Sequence, residues 1–404
     1  MILSFEQALE TVLEKTCLAR PALSFESIAL ERARGRVLGE DVAADRDYPP
    51  FHRATRDGYA VRSRDLNPAP AELERVGEVR AGECMQKPLA AEQAVEIMTG
   101  APLPAGADAV VMVEHTESDG TKVRMLRAVS EFENVVRQGS EARAGDMVLR
   151  RGRRLGPAEI GLLATVGRVP VRVFRKPRVA ILPTGDELVP LDKRPLRHQI
   201  RNSSAAALAA LVEAAGATPW VGGIAPDRED ELRRLIEQAL GADLVVVTGG
   251  VSMGKYDFVE PVLRACGAEF YFQGAAIRPG KPVVFGRARE KLFFGLPGNP
   301  VSSMVTFELF VRPSLGILAG AEPEPLVFLR ARLAKPFRHK TGLTQFLPAR
   351  VASSGGDSMV ELVAWQGSGD WVGAAAANCF LVIHPHQTDL AAGDAVDVWP
   401  KAWI

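Results

Sequence analysis

The sequence predicts a multidomain α/β protein built on a doubly wound, mostly parallel sheet, with small β-rich domains before and after it. Three observations carry that reading. From Arg178 to Ala319, apolar runs at VAIL, PWVGGI, LVVV and LFFGL alternate with the helical patterns SAAALAALVEAAG, DREDELRRLIEQAL and VSSMVTFELFVRPSLGIL, which is the βαβ alternation of such a sheet. Between residues 43 and 140, short runs such as AVEIM, AVVMV and KVRML are separated by Gly and Pro turns, predicting an all-β insertion domain. After Pro323 the strands PLVFLRARL, MVELVAW, CFLVIHP and AGDAVDVW predict a C-terminal β-barrel.

A chain of 404 residues exceeds a single core, so about two to four domains are expected. The 49 basic residues balance the 49 acidic ones, which argues against nucleic acid as a partner while permitting local basic pockets. Cys17, Cys84, Cys266 and Cys379 lie far apart, so neither a zinc site nor a disulfide framework is indicated, and a reducing, cytoplasmic setting fits. The N-terminal stretch lacks the basic flank of a targeting peptide, and no apolar run is expected to span a membrane.

Taken in order, Ser4 is placed to cap a helix whose Phe5, Ala8, Leu9, Val12 and Leu13 recur at helical spacing, with Gln7 completing the cap. Residues 27–38 predict a second short helical segment closed by Gly39. In the insertion domain, RATRDGY at 53–59 concentrates charge in a loop, and TGAPLP at 99–104 follows a strand. Asp57 reads equally as an Asp-Gly turn former or as a functional carboxylate. Arg150, Arg151, Arg153 and Arg154 form either an anion patch or a solvated face, and Pro157 opens a helix with Ile160, Leu163 and Ala164 on one side.

The sheet domain carries the most informative loops. Leu244–Val247 ends in glycines, and from Gly249 to Lys255 the chain spells a near P-loop in which Tyr256 stands where Ser or Thr should bind magnesium. The glycines and the helical pattern after them still suit an oxyanion loop. Three loops leave strand ends: PTGDE at 183–187, TGGVSMGKYD at 248–257 and PGNPVSS at 297–303. In a doubly wound sheet these converge on one edge, where ligands bind. Arg278-Pro279-Gly280-Lys281-Pro282 adds two cations on a restricted backbone, suited to gripping an oxyanion.

Carboxylates beside anionic substrate oxygens are the usual magnesium environment, so metal-assisted displacement at phosphorus is the expected chemistry. No covalent nucleophile constellation is legible. His384-Pro385-His386, with no third ligand nearby, reads as structural.

Together RATRDGYA, IMTGAPLPAGADAVV, PTGDELV, TGGVSMGKYDFV, RPGKPVVFG and LPGNPVSS resemble the MoeA family, the molybdopterin molybdenumtransferases related to the E domain of gephyrin. The resemblance spans nearly the whole chain. It implies an elongated linking domain (1–42 and 141–175), a β-rich domain (43–140), a MoeA/MogA-like α/β domain (176–322) and a C-terminal barrel (323–404). It also implies a homodimer whose active site is shared between subunits. The family reaction inserts molybdenum from molybdate into adenylylated molybdopterin, releases AMP and uses Mg2+. The upstream molybdopterin adenylyltransferase and apo-molybdoenzymes are the implied partners.

Carried over residue by residue, Asp57 and Thr99 fall on the partner-side wall, and Glu187 and Asp257 on catalysis or metal binding. Arg278, Lys281, Pro282 and Ser302 would meet substrate oxyanions. Thr184, Gly185, Asp186, Gly249, Gly250, Ser252, Pro297, Gly298 and Asn299 would line the substrate site from the three loops. Where the family has Gly-Glu-Asp, this chain has Gly139-Ser140-Glu141, which passes the acidic role to Glu141. In the barrel, Pro348 stands at the family's arginine position with Arg350 two residues on, while Ser368 in GSGD matches. The alternatives are a molybdopterin-binding scaffold or carrier and a CinA-like nucleotide hydrolase. The first need not keep Asp57, Glu187 and Asp257 together, and the second lacks the flanking β domains.

Overall fold

The computed structural model describes residues 2–20, 24–250, 258–339, 342–354 and 357–401. Its central sheet has six strands in the spatial order Thr218–Val221, Arg178–Pro183, Leu244–Thr248, Lys291–Leu296, Val284–Ala288 and Glu269–Phe272. The first four are parallel, and the last two form an antiparallel extension. Alternation along the parallel strands sorts their side chains onto two helical layers. Val179, Ile181, Leu244, Val246 and Phe294 pack against the helices Ser203–Ala214 and Pro300–Leu318. Ala180, Leu182, Val245, Val247 and Phe293 pack against Glu229–Ala239 and Val259–Ala265.

The helix Pro300–Leu318 reaches 19 residues, the length of a membrane span, against the expectation that no run would. Its Phe307, Leu309, Phe310 and Leu315 are buried, which makes it the core helix of the sheet domain. One turn of it, Phe307–Val311, is a π-helix. There Glu308, 1% exposed, pairs with Arg312, the two guanidinium contacts each 2.6 Å long.

Ser4 caps the helix Phe5–Leu18 in a capping box with Gln7, as the sequence predicts. That helix packs on the sheet domain and the barrel rather than on the linking segments. Phe5 sits 5.3 Å from the Phe346 ring, and Thr16 hydrogen-bonds Ser314 at 3.0 Å.

Residues 27–38 do not form the expected helix. Phe25–Ile28 is a strand paired antiparallel with Val171–Phe174, and only the 3-10 turn Leu30–Arg32 follows. A strand partner so distant in sequence overrides local propensity. The helix Pro157–Thr165 forms as predicted, with Pro157 in its first turn.

The insertion region holds a six-stranded sheet ordered Ala109–Met112, Gly58–Val61, Gln93–Ile97, Ala71–Val79, Lys122–Met125 and Thr116–Ser118. The C-terminal region closes on itself through Thr344–Ser354, Asp357–Leu362, Leu329–Leu333, Ala395–Pro400 and Cys379–Ile383, the last pairing back to the first. His384 Nε2–H donates to Asp397 Oδ2 at 2.8 Å within this barrel, a structural role. Among the described residues, no group of three metal-ligating side chains converges.

Candidate active site

The strand order places the topological switch between Arg178–Pro183 and Leu244–Thr248, whose neighbours extend in opposite directions. Register fixes their carboxyl ends level, with Pro183 beside Thr248 and Thr248 beside Leu296. The loops beginning at Thr184, Gly249 and Pro297 therefore leave one edge together, as expected. Backbone bonds knit them: Thr184 N–H donates to Thr248 O at 2.9 Å, and Gly249 N–H to Leu296 O at 3.1 Å. Ser252 and Asp257, with Gly254, Lys255 and Tyr256, lie outside the described residues.

Thr184 is buried, and a Cβ on Gly249 would lie 2.6 Å from its carbonyl oxygen, so this approach of two loops depends on a glycine. Gly250 follows, also at positive φ. Asp186 and Glu187 are exposed, and Glu187 folds its carboxylate back over Gly185.

A fourth loop joins them that sequence reasoning assigned only to the start of a helix. Asp227 follows the strand Thr218–Val221, and its N–H donates to Asp186 Oδ1 at 3.2 Å. Burial first, and then the negative charges of Asp186 and Glu187, push the Asp227 carboxyl above the usual range. Asp186 and Glu187 thus set negative charge beside Asp227. The legible signal was its place after a strand and before Glu229, where the helix begins.

The cationic turn packs against the helix that follows the third of these loops. Ile277–Arg278 pairs in parallel with Thr344 and Gln345 of the barrel, so the turn bridges barrel and sheet domain. Gly280 lies close to Ser302 and Thr306. Arg278 and Lys281 are exposed, Pro282 is half-buried, and among the described residues neither cation forms an ion pair. Both remain available to an anion.

Asn299 caps the helix beginning at Pro300, and Gly298 and Asn299 are exposed at its mouth. Pro297 and Ser302 are buried; the Pro297 carbonyl accepts from Ser303 Oγ, and the Ser302 carbonyl accepts from Thr306 Oγ1 at 2.8 Å. These two support the loop rather than face solvent. Val301 N–H donates to Ser368 O at 2.9 Å, which draws the barrel loop onto the helix N-terminus. Trp371 Nε1–H to Ser203 Oγ, 3.0 Å, fixes the same loop to a second helix. Pro348 is buried in its strand, whereas Arg350 is exposed and donates to Ala376 O at 3.1 Å, near that loop.

Asp57 accepts from Thr99 N–H at 2.7 Å and from its hydroxyl at 2.8 Å. Those two bonds hold its carboxyl below the ordinary range, so it is a fixed anion rather than a turn former alone. Glu141 is exposed, with Arg53 3.9 Å away. Among the described residues, no hydrogen bond or ion pair links Asp57, Thr99 or Glu141 to the strand-end loops. The chain brings the expected residues together in two groups, not one.

Fold and site define a multidomain α/β protein whose strand-end loops gather carboxylates at the switch edge of its sheet. Family models for the MoeA N-terminal region (domain I and II), a probable molybdopterin binding domain and the MoeA C-terminal region (domain IV) match residues 3–167, 180–316 and 330–401. The chain belongs to the MoeA family. It is 34% identical to a molybdopterin molybdenumtransferase of Staphylococcus epidermidis over 92% of this chain and 90% of that one. A Staphylococcus aureus protein of the same name is 33% identical over the same shares. A molybdopterin biosynthesis MoeA protein from Pyrococcus horikoshii OT3 superposes with a TM-score of 0.82 at 29% identity, covering 99% of this chain and 100% of that one.

Proposed function

We propose that this protein is a molybdopterin molybdenumtransferase, inserting molybdenum from molybdate into adenylylated molybdopterin with release of AMP. The observation that supports the reading is the turn of Arg278 and Lys281, neither ion-paired among the described residues, packed through Gly280 against the helix that follows the third strand-end loop, on a sheet whose first loop brings Asp186 beside Asp227. Cations grip the substrate oxyanions, and the helix that Asn299 caps adds its N-terminal dipole. Catalysis on this reading is positioning and electrostatic stabilisation at phosphorus.

The negative charge that Asp186 and Glu187 set beside Asp227 fits a hard divalent cation, which takes one or two carboxylates plus substrate oxygens and so needs no closed protein cage. Glu187 and Asp227, with Asp257, would hold magnesium there, and it would offset negative charge gathering on the phosphoryl oxygens.

Asp57, Thr99 and Glu141 act across the cleft from a second copy of the chain in this reading. The separation of the two residue groups within one chain supports it. The four-domain division given above is retained as part of the proposal, with the helix Phe5–Leu18 moved to the sheet domain. A cytoplasmic homodimer handing its product to apo-molybdoenzymes completes it.

The test is AMP release from adenylylated molybdopterin with molybdate and magnesium, coupled to activation of an apo-molybdoenzyme. Asp57→Ala and Lys281→Ala should each slow it, and mixing the two inactive variants should restore part of the rate through hybrid dimers. Release that ignores molybdate and both substitutions would sink the proposal. A scaffold or carrier would bind molybdopterin but release no AMP.

A further inference from the structure

A cavity of about 480 Å3 lies away from the strand-end loops, at the seam between the linking segment 148–159 and residues 322–324. Arg150, Arg151, Arg153 and Arg154 line it. An adjoining cavity of about 360 Å3 shares Arg153 and Arg154 and adds Arg34. The larger volume falls in the range of small-molecule sites.

Not all of this charge is spent. Arg153 is committed to Glu159, with Nε 3.0 Å from Oε1. Arg154 donates to Gly35 O at 3.0 Å, and among the described residues no carboxylate pairs with it; burial pushes its guanidinium down. Arg151 lies over the rings of Phe25 and Phe174, at 5.2 and 5.0 Å, which fixes it without neutralising it. Arg150 is exposed and forms no ion pair among the described residues.

A further sign comes from Arg20. Among the described residues its Nε is buried without a hydrogen-bond partner; burial first pushes its guanidinium down, Cys17 opposes that, and Arg151 adds a smaller push in the same direction. An anion beside Arg151 would relieve that repulsion. Glu322 and Glu324, both exposed, also line the larger cavity; among the described residues neither forms an ion pair with these arginines, although the charge of Glu324 acts on Arg154. Two lining carboxylates disfavour an extended polyanion but leave room for a small one.

We propose that the seam cavity binds a phosphate group, free or on a small phosphomonoester, between Arg150, Arg151 and Arg154. Guanidinium forks match phosphate oxygens bidentately, which a lysine cluster would not. The site is distinct from the catalytic cleft and does not rest on the transferase reading. The helix Pro300–Leu318 separates them: Val301 meets the Ser368 loop at one end, and Gly316 lines a third cavity with Arg154 near the other. At 1.5 Å per residue the two ends are roughly 20 Å apart. A bound phosphate would tie the linking segment to the sheet domain.

Calorimetric titration of the full-length protein with inorganic phosphate, and separately with AMP, tests this against the Arg150→Gln/Arg151→Gln double variant and against Lys281→Ala. The expected result is phosphate binding at least tenfold weaker in the double variant and retained in Lys281→Ala, with the double variant's AMP-release rate unchanged at saturating substrate. Tighter binding of AMP than of phosphate at the retained site assigns it to a nucleotide, and equal affinity assigns it to the free ion. Should the double variant not fold, Arg151→Lys, which keeps the charge and loses the fork, must still weaken binding. Affinity unchanged in these variants, or binding lost only with Lys281→Ala, would each overturn the proposal.

Discussion

Gly280→Ala should damage the anion grip through its backbone alone. The residue has φ +108°, where an L side chain is strained, and the new Cβ would sit 2.4 Å from Thr306 Cγ2 and 3.2 Å from Ile277 Cδ1. Backbone strain of this kind costs about 1–3 kcal/mol, and overpacking a filled core about as much again. The expected loss is therefore roughly 2–6 kcal/mol of sheet-domain stability, or a shift of the turn that avoids it. Either way Arg278 and Lys281 are displaced, and KM for molybdate rises. Thr306→Ser separates the two contributions, because it removes Cγ2 but keeps the hydroxyl that donates to Ser302 O at 2.8 Å. In the double variant about 1–3 kcal/mol should return while the backbone share persists, a coupling that a double-mutant cycle isolates. Denaturant unfolding and AMP-release kinetics on the four proteins give the readout. A single variant with native stability and KM, or a double variant no more stable than Gly280→Ala, would refute the argument.

Other consequences follow from named contacts. Arg312→Met leaves Glu308 buried without its cation and should cost about 3–5 kcal/mol in denaturant unfolding at neutral pH. Burial pushes the Glu308 carboxyl up, so protonation relieves the variant and the defect should shrink as pH falls. Thr99→Val removes one of two donors to Asp57, whose carboxyl those bonds hold low. The stability that a depressed carboxyl confers is present above its unfolded value and lost as pH falls through the folded one. The acid limb of the pH–rate profile should therefore move to higher pH in Thr99→Val, and an unchanged limb would disprove the coupling. Asp227→Asn should raise the magnesium concentration needed for half-maximal rate by about tenfold or more, read from metal titration of AMP release.

Most of the sheet domain was legible because its strands, buried on both faces, read as apolar runs, and glycine-rich turns followed them. What escaped had long-range causes. Thr344–Ser354 is an eleven-residue strand paired on both sides, yet Pro348 breaks the usual strand signature. Proline is tolerated there because its carbonyl, not a missing N–H, serves the structure: Val363 N–H donates to Pro348 O at 3.1 Å. Asp227 escaped for a different reason, since its place between strand and helix is shared by three acidic residues in DRED and does not say which of them meets the neighbouring loop. Only the register of Thr218–Val221 against Arg178–Pro183 decides it, by delivering residue 227 beside Asp186. The same limit applies to Asp57 and Thr99. Their spacing in sequence suggested two separate turns, and the antiparallel pairing of Gly58 with Ile97 is what places one carboxylate within reach of the other turn's hydroxyl. Loops announce a site by composition, but the identity of its charged members is settled by strand pairing, which a single sequence encodes only through contacts far along the chain.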